Sequence, residues 1–155
     1  MPMQTSNAFP VARSVAICAV VMTLVTSASA QVASAQAYKL IVNDANHASG
    51  ISSSEVAQIF MKKKTDWPSG EAVIPVDQSA NSPSRVAFSK DVLHRDVMAM
   101  KLYWQQQMFA GRANAPDEKA SDAVVVAYIK DNPGAIGYVS SAASTTGVKV
   151  LVIHE

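Results

Sequence analysis

Between residues 38 and 153 the spacing of apolar residues changes repeatedly from the period of a strand to the period of a helix. That interleaving restricts the fold more than any other feature. "YKLIVN" at 38–43 is a β-branched apolar run of strand length. Ser52 then stands three residues before Glu55, a capping-box spacing, and Val56, Ile59 and Phe60 follow at helical intervals. "KKKTDWPSG" stops this short helix, and the three lysines read as solvated charge at its C-terminal end. "AVIPV" at 72–76 predicts a second strand, whose Pro75 marks an edge or a strand end. Helices are expected over 84–93 and 96–109, the second with an apolar stripe of Val97, Met100, Trp104 and Met108, ended by Gly111. Ser121 opens an apolar helix that Pro133 and Gly134 stop. "AIGYVS" and "VKVLVI" predict two final strands. Strands alternating with helices imply an α/β domain with a small mixed sheet flanked by helices.

The apolar excess of the chain, 49% of 155 residues, is concentrated at the front. One cation, Arg13, precedes the apolar block "SVAICAVVMTLV" and the small-residue stretch "TSASA", the order of a secretory signal peptide over 1–30. Cleavage after Ala30 is the first choice, with Ala35 and Ala37 as rivals. The block falls short of the roughly 20 residues that cross a bilayer, so no stable membrane anchor is expected after cleavage. Residues 31–37 read as a flexible leader, and 38–155 as one domain large enough to bury a core. The only cysteine, Cys18, lies within the apolar block, which leaves the exported chain without disulfides. Without Arg13, basic and acidic residues balance, so bulk charge points to no nucleic-acid partner.

Residues able to carry catalysis are sparse. His47, His94 and His154 lack metal-pair spacing. Asp44 and His47 near Ser49 and Ser52 have no G-x-S-x-G elbow beside them, and the acids stand singly. Trp104 reads as core, and Trp67, beside Pro68, as a cap on the core. No nucleophile, metal set or cofactor loop emerges, and an enzyme is not expected.

One stretch stands out, "DQSANSPSRVAF" at 77–88. With Ser82 as N-cap and Pro83 as the first helical residue, Ser84 and Arg85 fall in the first turn. A cation at the positive end of a helix costs about 0.3–1 kcal/mol unless a negative group compensates. Two compensations stay open: an internal carboxylate such as Asp77, or a bound oxyanion held by the guanidinium, the hydroxyls and the free N–H groups.

"SSSEVAQIFMKKKTDWPSG", "SPSRVAF", "YWQQQMFAG" and "NPGAIGYV" occur in the order and spacing of the phosphate-binding proteins of ABC transporters, in the type 2 periplasmic-binding-protein superfamily. The chain resembles a small, single-lobe relative over residues 38–153. The resemblance implies one three-layer-like lobe. In that family the loop after the second strand here gives hydroxyls and N–H groups to phosphate, and by position those donors fall on Ser82 and Ser84. The family's intervening glycine is Pro83 here, and its upstream arginine and acid fall near Gln78 and Ala80. Arg85 resembles the arginine of the single-lobe relatives. The implied anion-binding set is therefore Asn81, Ser82, Ser84 and Arg85, for phosphate or a similar oxyanion, in an exported, periplasmic, non-catalytic domain of phosphate ABC transport. Because only one lobe is present, the resemblance also implies a second subunit or an envelope partner to complete the cleft. The alternative is an envelope interaction module that kept the fold and lost the ligand.

Overall fold

The computed structural model describes residues 37–155. The expected signal peptide over 1–30, with Cys18, and the leader over 31–37, save Ala37, lie outside the described residues. Six strands form one mixed sheet. In chain order the elements are β1 (Tyr38–Asn43), β2 (Gly50–Ser52), α1 (Ser53–Phe60), β3 (Ile74–Gln78), α2 (Pro83–Asp91), α3 (Val97–Phe109), β4 (Asp117–Lys119), α4 (Asp122–Asp131), β5 (Ala135–Ser140) and β6 (Val148–His154). The strand order is β2-β6-β1-β5-β3-β4. β1 runs antiparallel to β5 and β6, whereas β3 lies parallel to β5 and β4.

Strand alternation sorts the core into two layers. Tyr38, Leu40 and Val42 of β1, with Ile136 and Tyr138 of β5, face α1, α2 and α3; there they meet Val56, Ile59, Phe60, Phe88, Met100 and Trp104. Ile41, Ala135 and Val139 point the other way, onto Val125 and Ile129 of α4. The result is three layers, helices on both faces of the sheet, as expected. Among the described residues, the buried members of both clusters lie between Tyr38 and Leu151. Phe88 stacks on Tyr138 with centroids 4.1 Å apart and meets Tyr38 edge-on at 5.4 Å, which fastens α2 to the centre of the sheet.

The second strand forms two residues later than the 72–76 expected. Ala72 bridges Asp66, and the Val73 N–H donates to Thr65 O at 2.7 Å, so these residues close a local turn before the chain reaches β5. Pro75 sits at the start of β3, which lies between two strands and is no edge; its strand-end reading is the one realised. β2 and β4 were not expected. Each has three residues, and β4 is Asp-Glu-Lys, a charged edge strand without an apolar signature. In α3, Met100 and Trp104 are buried, but Met108 is exposed because the last turn runs beyond the core. Gly111 ends that helix at φ +63°, with its N–H on Met108 O.

The "NPGAIGYV" stretch has a packing explanation. Trp67, buried as expected, donates from its indole to Gly134 O at 3.1 Å, and Ile74 N–H donates to the same oxygen at 3.0 Å. A Cβ on Gly134 would run into the backbone oxygen of Ala72, and one on Gly137 would press on Val125 and Ile129 of α4. Gly134→Ala is therefore expected to lower stability by about 1–3 kcal/mol. Urea unfolding checks this: a lower midpoint with an unchanged slope is the expected result, and an unmoved midpoint contradicts it.

Candidate functional site

β3 ends on two adjacent polar residues, Asp77 and Gln78, both buried. Strand alternation sends their side chains to opposite faces of the sheet. On the α2 side, Arg85 Nη1 lies 2.8 Å from Asp77 Oδ2, with both side chains less than a tenth exposed. The same nitrogen donates to Gln78 O and lies 3.3 Å from Glu118 Oε1. Asp77 Oδ1 accepts from the Tyr138 hydroxyl and from Gln78 N–H at 2.9 Å. Burial pushes the Asp77 carboxyl above its usual range, against the opposing pull of Arg85, Tyr138 and the Gln78 N–H. Burial, and then the Asp77 charge, push the Tyr138 hydroxyl upward as well.

On the α4 side, Gln78 Nε2 donates to Tyr138 O and to Asp122 Oδ1, both at 2.8 Å, while its Oε1 accepts from Ser82 Oγ at 2.6 Å. One side chain thus ties together the end of β3, the start of α2, the start of α4 and β5. Asp122 also accepts from Ser140 N–H at 3.1 Å and Ser140 Oγ at 2.6 Å. Burial acts to raise the Asp122 carboxyl, but the Ser140 and Gln78 donors outweigh it and hold the group below the usual range.

These bonds place the starts of α2 and α4 around one polar cavity of about 590 Å³, walled by Ser79, Asn81, Ser82, Ser84, Ser121 and Asp122. Ser82 is the N-cap residue of α2 and Pro83 its first helical residue. The Ser82 hydroxyl is turned to Gln78, so no side chain caps the helix. The first-turn N–H groups of Ser84 and Arg85 have no intrahelical acceptor and no capping oxygen. At α4, Ser121 caps as expected, accepting from Val124 N–H at 3.4 Å. Two positive helix ends and several hydroxyls therefore converge with one carboxylate, a setting suited to a small oxyanion.

Asn81, Ser82 and Ser84 share this cavity. The Arg85 side chain does not: it lines a second cavity together with Asn81, Trp104 and Glu118. Of the two compensations open for its charge, the structure shows the internal carboxylate. Sequence reasoning missed Gln78, Asp122 and Ser140 as parts of the site. Ser121 and Asp122 were visible as a helix start, but their proximity to Ser82 follows from β5 lying beside β3. Among the described residues no cluster of three metal-ligating side chains occurs, and no helix is long and apolar enough to cross a membrane.

No family model and no curated protein matches the chain. Solved structures do. A protein assigned as a phosphate ABC transporter substrate-binding protein from Clostridium perfringens, with bound phosphate, superposes with a TM-score of 0.60 at 17% identity, covering 76% of this chain and 44% of that one. PstS from Borrelia burgdorferi gives 0.60 at 15% identity, over 77% and 47%. An ABC-type phosphate transport receptor from Vibrio cholerae gives 0.56 at 16%, over 76% and 46%. The chain spans less than half the length of these proteins. The likeness establishes the fold, a periplasmic-binding-protein-like lobe.

The Arg85–Asp77 pair is testable through pH. Arg85→Met leaves a buried carboxylate without its cation, an expected loss of about 3–5 kcal/mol at pH 7. Without the guanidinium the folded carboxyl holds its proton to higher pH, so the folded state binds more protons than the unfolded one above about pH 4, and stability falls as pH rises. The loss should shrink at pH 5; urea unfolding that shows the same loss at both pH values contradicts a charged Asp77 as its source.

Proposed function

We propose that the protein is an exported solute-binding domain that holds phosphate, or a similar protonated oxyanion, where α2 and α4 begin. The observation that carries this reading is the uncapped start of α2, which opens into a hydroxyl-lined cavity faced by a second helix start. Asn81 and the hydroxyl of Ser84 supply side-chain donors, the Ser82 hydroxyl being given to Gln78, and the backbone N–H groups of Ser84 and Arg85 supply the helix end. Arg85 contributes through its backbone and by fixing α2 on β3; its guanidinium is engaged by Asp77. Asp122, held ionised by its donors, is a pure acceptor. It favours an anion that still carries a proton, such as hydrogen phosphate, over sulfate, which carries none at neutral pH.

The solved neighbours named for phosphate transport support this reading, and with it a place outside the cytoplasm beside a phosphate ABC transporter. The described lobe taken alone leaves the anion open to water on one side, so the affinity expected of this lobe is modest, and a second subunit or an envelope partner would tighten it.

Calorimetric titration tests the reading. Phosphate is expected to bind, with sulfate weaker. Ser84→Ala should weaken phosphate by about tenfold or more, the cost of one hydrogen bond to a charged group. Absence of binding at millimolar phosphate overturns the proposal and leaves the fold reused as an envelope interaction module.

A further inference from the structure

α3 is apolar on two opposite faces. Met100 and Trp104 fill the core, while Met98, Leu102 and Phe109 stand on the far side at 63%, 54% and 97% exposure. With Gln105 they follow a four-three-four spacing, the seam of a helix that packs against another helix. A surface helix ordinarily carries one apolar stripe, and this one carries two, separated by Lys101 on one flank and Gln106 on the other. We propose that a second copy of this chain covers that face, with the two α3 helices packed antiparallel about a twofold axis.

Three features favour a second copy over an unrelated partner. The face is self-complementary: antiparallel pairing sets Phe109 of one copy against Met98 of the other, where a cavity of about 680 Å³ is lined by Val97, Trp104, Ala115 and Pro116 together with the charged Lys101, Arg85 and Glu118. A ring with no packing partner thus meets the apolar part of a recess twice, as an isologous contact requires. Charge matches as well. Exposed Asp96 caps the start of α3 and exposed Arg112 follows its end, so the antiparallel arrangement brings opposite charges and opposite helix-dipole ends together at both ends of the contact. Arg95, next to Asp96, is turned over the Tyr103 ring, 5.8 Å from its centroid. Finally, each face offers apolar area on the order of 500 Å², so the pair would bury about 1,000 Å² in total, the size of a weak, reversible interface.

The test uses the chain from Gln31 onward, which carries both core clusters of the described residues and lacks Cys18. Sedimentation equilibrium should report dimer at tens of micromolar. Phe109→Asp, at a fully exposed position that does not burden folding, should weaken association by about thirtyfold or more, the loss of a central anchor. Mixing Met98→Cys with Phe109→Cys should give an intermolecular disulfide that neither variant forms alone. A monomer at every concentration, a dimer untouched by Phe109→Asp, or cross-linking within either single variant overturns the proposal.

Discussion

The buried pair of Asp77 with Arg85 sets the position of everything that surrounds the candidate site. Removing two charges from water costs several kcal/mol each, and the pair recovers this only through close geometry and further hydrogen bonds. Tyr138, Gln78 N–H and Gln78 O supply them. Satisfying those partners fixes where α2 can begin relative to β3 and β5. Because the residue after Asp77 projects to the other face, the same strand end also fixes α4 through Gln78 and Asp122. The cavity between the two helix starts is a consequence of this double fastening.

The arrangement separates support from binding. The arginine that a helix start would ordinarily reject is accommodated by a carboxylate from the neighbouring strand, on the side away from the hydroxyl-lined cavity. In the proposed reading an anion would meet only donors that carry no full charge: a hydroxyl, amide N–H groups and two helix ends. Such donors hold an anion by geometry more than by charge, and geometry here depends on Gln78. That side chain uses both ends of its amide and takes the hydroxyl that would otherwise cap α2, leaving the first turn of the helix open.

Legibility in the sequence followed the physical strength of the local signal. β1, β5, β6 and the four helices were readable because each presents an apolar pattern, a cap or a stop of its own: Ser52 at α1, Pro83 at α2, Asp96 at α3, Ser121 at α4. β2 and β4 were not, since three-residue edge strands exist only through their neighbours. The start of β3 moved for a similar reason, as a turn between 65–66 and 72–73 took residues the strand would have used. Asn81, Ser82 and Ser84 were visible from turn and capping chemistry, whereas Gln78 and Ser140 carried no sign of their roles, which arise from contacts across 60 and 18 residues of chain.

By itself the sequence determined the element types, the alternation that makes an α/β layer structure, and the misfit of a cation at the start of α2. Those properties depend on residues near one another in the chain, through periodicity, backbone propensity and capping. Only the tertiary structure decided which group answers Arg85, which helix start faces which, and which side of α3 stays uncovered. Each of these depends on strand order, and strand order is set by the packing of distant apolar faces that no local pattern specifies.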